Sequence, residues 1–466
     1  MPDIISDTQK GFMKDRFIGE NTRLLFDLMH YLEENNLEGL LLLIDFEKAF
    51  DSIEWPFLLN TLKSFNFGPS VCKWFTVFYN ESKSCVINNG FMSNFLNLER
   101  GCRQGDPLSP YLFIMGVELL SLKIKSNANI KGINTGNIES LISQYADDTF
   151  LLLDGTERSL KESLECFEKF HQVSGLKMNS SKTRAVWIGS KRYSDHILCP
   201  DSNLHWSHSN FRLLGIEFSL DMSTMVDVNF QKKVKEITGL LKSWQHRKLS
   251  LLGKITVIKS LALSKSVHLL TSLPNLKPDM VSNLNKIFFN FIWDRKTEKI
   301  KRNTLIADYL EGGLKMIHLE SFNSYLKVGW VKKFLSNMKG NWQSIIGTEL
   351  NRYGGERVFS LQRDKIRAIA KNLCNPFWKS VLYGFSDAKP DTNRILQDIL
   401  SLDILNFVNI EDFPFFMRWK SFGIKYLAYL INPQKLDFLT FEQIREKCNT
   451  GNFVKYLVSC QIYPEI

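Results

Sequence analysis

Ser143–Gly155 reads SQYADDTFLLLDG. Two adjacent aspartates, Asp147 and Asp148, stand between apolar runs, where a buried strand would prefer neither. With two more residues included, Leu141–Asp154 reads as strand, tight turn, strand, with both carboxylates at the turn. An Asp-Asp pair alone is ordinarily a solvated turn. A third aspartate weakens that reading here. Gly39–Phe46, GLLLLIDF, is a buried strand that ends at a carboxylate, Asp45.

The flanking segments say whether the three aspartates can meet. Before Asp45, Leu24, Leu28, Tyr31 and Leu32 recur at helical spacing. After it, Asp51–Phe65 (DSIEWPFLLNTLKSF) predicts a helix capped by Asp51 or Ser52. Ser84–Phe95 (SCVINNGFMSNF) predicts a hairpin turning at Asn89-Gly90. A helix opening with Asp106 as cap and Pro107 in its first position follows. Glu157–Gly175 is an amphipathic helix with Leu160, Leu164, Phe167 and Phe170 or His171 on one face and Gly175 as its stop. Thr183–Gly189, TRAVWIG, is a further strand. Strand, helix, strand–strand, helix, strand is a βαββαβ unit with a helix and hairpin inserted. Such a unit pairs its two central strands, so Asp45 is expected beside Asp147 and Asp148.

Clustered carboxylates repel one another and raise each other's pKa unless a cation joins them. Mg²⁺ suits such a cluster, because it takes hard oxygen ligands and keeps positions open for water and phosphates. A pair of such ions can stabilise the attacking and leaving oxygens of phosphoryl transfer.

The chain has 466 residues and a formal net charge of +10, which favours a polyanionic partner. No apolar run reaches membrane-spanning length, and Lys10, Lys14 and Asp15 interrupt the N-terminus, so no secretory signal is read. The eight cysteines are scattered without a CxxC pair and read as reduced, mostly buried thiols of an intracellular protein. Cys199, His205 and His208 lack a fourth ligand at zinc spacing. LLGKITVIK has a Gly-Lys pair without the rest of a phosphate-cradling P-loop. From Phe230 to Lys265 the chain is helical in pattern and strongly basic, with Glu236 its one acid. From about residue 320 onward the pattern is mostly helical and carries no catalytic signal.

LLLIDFEKAFDSIEW, RGCRQGDPLSPYLF, YADD, GLKMNSSKT and FRLLGIEF occur in that order. They resemble motifs A to E of the reverse transcriptases of non-LTR (LINE-type) retrotransposons. GFMKDRFIGEN resembles the block upstream of motif A, and LSLLGKITVIKSLAL and NKIFFNFIW are similar to the thumb and post-thumb region. The resemblance implies an α+β right-hand polymerase palm of the ferredoxin-like βαββαβ type, with partial fingers at 1–38 and the palm at 39–222, its inserted helix and hairpin spanning 52–98. A basic helical thumb would occupy 223–310 and a helical extension 311–466.

It further implies an RNA-directed DNA polymerase with two Mg²⁺ ions, for which Mn²⁺ can substitute. Asp45, Asp147 and Asp148 would be the metal ligands, with the backbone carbonyl of Phe46. Phe50 matches the steric gate against a ribose 2′-OH; by itself it reads as a core aromatic. Arg103, Gln104 and Gly105 match the turn that lines the incoming nucleotide, and Gly105 suits a positive φ. Lys182 matches the lysine that protonates pyrophosphate, and stands beside the plainer reading of a surface lysine. Arg16 would face the triphosphate. Lys232, Lys233, Lys235, Arg247, Lys248, Lys254 and Lys259 would track the phosphates of the template–primer duplex.

The implied partners are an RNA template, a DNA primer and dNTPs, with no membrane, in the cytoplasm or nucleus. An endonuclease, a terminal Cys/His knuckle and the first fingers segment are not found, so a fragment of a longer reading frame is expected. The alternative is a catalytically inactive nucleic-acid-binding remnant of such an element. A maturase-like RNA chaperone on the same fold is disfavoured by the three intact aspartates.

Overall fold

The computed structural model describes residues 1–136, 138–336, 340–388 and Tyr429. It divides into two compact units. The first is Met1–Val228 with Gly340–Trp342, and the second is Asn229–Lys339 with the described residues from Gln343 on.

The first unit carries, in chain order, α1 (Ile18–Glu34), β1 (Glu38–Ile44), α2 (Trp55–Ser64), α3 (Pro69–Tyr79) and α4 (Ser109–Ser126). Then come β2 (Ile142–Tyr145), β3 (Asp148–Leu153), α5 (Glu157–Ser174), β4 (Arg184–Gly189) and β5 (His205–Trp206). The strands form one sheet in the order β5-β4-β1-β3-β2. β1 runs antiparallel to both β4 and β3, β2 is antiparallel to β3, and β5 joins β4 in parallel. This is the strand order of a βαββαβ unit with one short strand added at its edge.

β1 is central and apolar on both faces, which is why it shows no alternation. Leu40, Leu42 and Ile44 share a core with Leu151, Leu153 and Ala185, with Phe113, Ile114 and Val117 of α4 and with Leu160 and Phe167 of α5. α1 packs against β4 and β2. Leu41, Phe150, Leu152 and Val186, of the opposite parity, are buried as well. Each fully buried leucine contributes about 1.5–3 kcal/mol, so this strand can hold a charge at its end that the turn itself would not support.

Two helix starts differ from expectation. Asp51 and Ser52 do not cap a helix running to Phe65: Ala49–Ser52 forms one helical turn, Ile53 is extended, and α2 begins at Trp55. Pro56 cannot donate the N–H that a continuous helix needs there, but it fits a first turn. Likewise α4 begins at Ser109, with Pro110 in its first turn, rather than at Pro107. Asp106 caps the preceding turn, accepting from Leu108 N at 3.1 Å. The hairpin forms as expected: Ile87–Asn88 pairs with Phe91–Met92 around Asn89 and Gly90, both at positive φ. Gly175 ends α5 in the left-handed conformation.

The second unit contains helices and no strand among its described residues. Leu251–Val257 continues through a π-turn at Ile258–Ala262 into Ser264–Ser272, and Pro278–Ile292 packs on Leu251–Val257. Leu319–Phe334 and Arg363–Asn372 both pack on Pro376–Ala388. Trp330, Phe377 and Trp378 are fully buried there. The remainder of the expected helical extension, from residue 389, lies outside the described residues apart from Tyr429. Among the described residues no helix is long and apolar enough to cross a membrane.

Candidate active site

The register of the sheet brings the aspartates to one end. Ile44 pairs with Thr149, so Asp45 leaves β1 beside Asp148 at the start of β3. Tyr145 and Asp148 pair across the two-residue turn Ala146-Asp147. Asp147 and Asp148 are exposed and Asp45 is half-buried. The Asp148 carboxyl is held above its ordinary 3.8, first by desolvation against the protein behind it, then by the charge of Asp147, then by that of Asp45. Among the described residues no three His, Cys, Asp or Glu side chains yet converge to enclose an ion. The donors are nonetheless of the right kind: carboxylate oxygens on adjacent strand ends, whose mutual repulsion a divalent cation would cancel.

Asp45 is fixed through its backbone by the loop after α5. Its N–H donates to Thr183 Oγ1 at 3.3 Å, and its C=O accepts from Asn179 N at 2.7 Å. Phe46 bridges to Met178, and Glu47 N donates to Lys177 O at 2.9 Å. This short ladder brings the segment bearing Lys182 beside the segment bearing Asp45 and Phe46. Lys182 is exposed, and its ammonium has no hydrogen bond or ion pair among the described residues.

Phe50 is half-buried, stacked on Phe113 of α4 at 4.1 Å, with Phe12 meeting it edge-on at 6.4 Å. The loop before α4 is pinned alongside: Gly101 N donates to Ile53 O at 2.8 Å and Cys102 N to Phe50 O at 2.6 Å. A Cβ on Gly101 would stand 2.9 Å from Asp51 O, so this approach requires glycine. Gly105 has φ +86°, the positive value expected of it, with open space around it. Gln104 reaches Asp51 Oδ1 at 3.4 Å. Arg103 turns to the C-terminal end of α3, where it donates to Phe78 O and to Ser82 Oγ.

Two of the expected site residues are held by partners within the protein. Arg16 donates to the backbone carbonyls of Ser6 (2.5 Å), Gln9 (2.6 Å) and Ile5 (2.9 Å). It clamps the N-terminal loop. Lys254 does not face solvent. It is buried, donates to Ile292 O at 3.1 Å and pairs with Asp294 at 2.7 Å. Of the other basic positions, Lys232, Lys235 and Lys248 are exposed. Lys233 pairs with Glu236 at 2.9 Å, Arg247 lies over Trp244, and Lys259 donates to Lys315 O at 3.2 Å.

Residues that the sequence did not single out complete the site. Thr183 and Asn179 hold Asp45; the sequence placed both within GLKMNSSKT but gave neither a role. Gln9 is buried and bonds to Ala146, between Tyr145 and Asp147, across 137 residues of chain. Ala146 has φ +55°, a conformation that costs a residue with a Cβ about 1–2 kcal/mol.

Residues 1–218 match the family described as reverse transcriptase (RNA-dependent DNA polymerase). The chain is 24% identical over 337 residues to the uncharacterized 149 kDa protein of transposon TX1 from Xenopus laevis, covering 72% of this chain and 25% of that protein. It is 26% identical over 180 residues to the retrovirus-related Pol polyprotein of the type-2 retrotransposable element R2DM from Drosophila melanogaster, covering 39% of this chain and 17% of that one. The chain thus spans a quarter or less of these relatives' lengths. Among solved structures, apo telomerase from Candida tropicalis aligns with 73% of this chain and 57% of that one, at 13% identity and a TM-score of 0.38.

Proposed function

Because residues 1–218 match the reverse transcriptase family, we propose that this chain is the polymerase core of a LINE-type retroelement protein. It copies an RNA template by adding dNTPs to the 3′-OH of a DNA primer. The observation that carries the reading is the pairing of β1 with β3, which sets Asp45 beside the turn of Asp147 and Asp148 within the matched residues. In this reading residues 1–38 are partial fingers, 39–222 the palm, 223–310 the thumb and 311–466 a helical C-terminal extension. The protein works in the cytoplasm, the nucleus or both.

Asp45, Asp147 and Asp148, with the carbonyl of Phe46, are the groups that would hold two Mg²⁺ ions, or Mn²⁺ in their place. When bound, the ions lower the charge barrier at the attacking hydroxyl and the departing pyrophosphate. The chain's own residues do the rest. Lys182, exposed and unpaired among the described residues, gives a proton to the pyrophosphate oxygen as it leaves. Phe50, fixed by its stack on Phe113, fills the space a ribose 2′-OH would need. Gly105 lets backbone approach the nucleotide without a side chain between, and Arg103 and Gln104 border the same loop. Lys232, Lys235, Arg247 and Lys248 meet duplex phosphates as point charges.

Primer extension by the purified chain tests this, with oligo(dT) on poly(rA), dTTP and Mg²⁺, beside Asp147→Asn. Extension that requires both Mg²⁺ and Asp147 is expected. The variant should lose it at least ~100-fold, since it removes charge that the transition state needs, while duplex affinity stays nearly unchanged. Wild-type extension by Asp147→Asn would overturn the metal assignment. Absence of extension with salt-sensitive duplex binding intact would leave a nucleic-acid-binding remnant.

A further inference from the structure

We infer that Gln9 is a positioning residue of the carboxylate site: its side-chain amide grips Ala146 and thereby fixes how Asp147 and Asp148 are presented. The inference rests on reading those aspartates as metal ligands.

Gln9 is 1% exposed. Its Oε1 accepts from Ala146 N at 2.9 Å and from Gly11 N at 2.8 Å, and its Nε2 donates to Ala146 O at 3.4 Å. One side chain therefore satisfies both backbone groups of one buried residue, and that residue is the neighbour of Asp147. Ala146 occupies the first central position of a two-residue turn at positive φ, where glycine is the usual solution. Alanine there is held from outside. Without Gln9 its buried N–H loses its acceptor, and the turn has reason to relax to an ordinary φ.

The loop bearing Gln9 is itself fixed. Lys10 N donates to Gln144 O and Gln144 N to Thr8 O, each at 2.9 Å, so residues 8–10 bracket the end of β2. A Cβ on Gly11 would stand 2.5 Å from Ala146 N, so the loop sits at closest approach. Arg16 ties down the carbonyls of Ile5, Ser6 and Gln9. A chain of contacts thus leads from Arg16 through Gln9 and Ala146 to the two aspartates. None of its members touches a nucleotide in this reading.

The test is Mn²⁺ binding by the full chain, followed through the electron paramagnetic resonance signal of free Mn²⁺. Wild type, Asp147→Asn, Gln9→Ala and Gln9→Met are compared. Gln9→Met fills nearly the same volume, and so reads the amide if Gln9→Ala fails to fold. Asp147-dependent binding in the wild type and a loss of about tenfold or more in Gln9→Met are expected, as for partners that orient metal ligands. RNA–DNA duplex affinity should stay unchanged. Because glycine needs no grip at positive φ, Gln9→Met should cost less in an Ala146→Gly background. Wild-type Mn²⁺ affinity in a folded Gln9→Met, with Asp147-dependent binding intact, would overturn the inference and leave the site reading standing. Wild-type binding that ignores Asp147 would remove the site reading, and the inference with it.

Discussion

Asp148 bears the electrostatic cost of the site. Its carboxyl is raised above 3.8, so the folded chain holds that proton more tightly than the unfolded chain does. Stability from this group is fully present below the unfolded-state value and is lost as pH rises through the folded-state value. At neutral pH, without divalent metal, Asp148 therefore opposes folding. Asp148→Asn should raise the metal-free unfolding midpoint at pH 7 by about 1–2 °C, the small size reflecting solvent screening. The gain should vanish near pH 3. Thermal denaturation in a chelating buffer at both pH values checks this, and a fall in midpoint at pH 7 would contradict it. The three aspartates could be picked out in the sequence because carboxylates amid apolar residues conflict with burial. Arg16 could not be read in the same way. An arginine that binds backbone carbonyls leaves no partner residue to find, because every residue has a carbonyl.

Elements were legible where one local rule decided them. α5 has an amphipathic face, a Thr156 cap that accepts from Ser159 N at 3.3 Å, and a glycine stop. Gly175 adds a tertiary constraint that its conformation alone did not disclose: a Cβ there would lie 2.5 Å from Ser52 O. Gly175→Ala should cost more than the ~1–2 kcal/mol of the left-handed conformation alone, because Ser52 must also move. The loop that begins at Gly175 holds Asp45, so lost stability should come with lost metal affinity. Urea denaturation reads the first, and a change under about 0.5 kcal/mol, the ordinary range of a surface substitution, would show that the loop yields freely. The helix starts were misplaced because two signals competed. Asp51 and Pro107 are good local openings, but Pro56 and Pro110 lie a few residues on and impose the first turn themselves.

At the scale of the molecule, strand order followed from the sequence because βαββαβ connectivity leaves few alternatives. Charge did not map as simply. A basic stretch reads as uniformly exposed, yet Lys254 is buried against Phe291 and Asp294 while Lys235 stands in solvent. Lys235→Gln should lower the slope of log affinity against log salt for an RNA–DNA duplex by about one. Lys254→Met should leave that slope unchanged and lower the unfolding midpoint instead, and an equal slope change for both would refute the distinction. A different consequence follows from the bracketing of β2 by residues 8–10. β2 is the last strand of the sheet on its side, and an open strand edge is a template for intermolecular pairing. The same loop that orients the aspartates also keeps that edge from recruiting another chain. Removal of residues 1–10 should therefore produce a protein that self-associates, forming β-rich oligomers in sedimentation at concentrations where the longer chain does not.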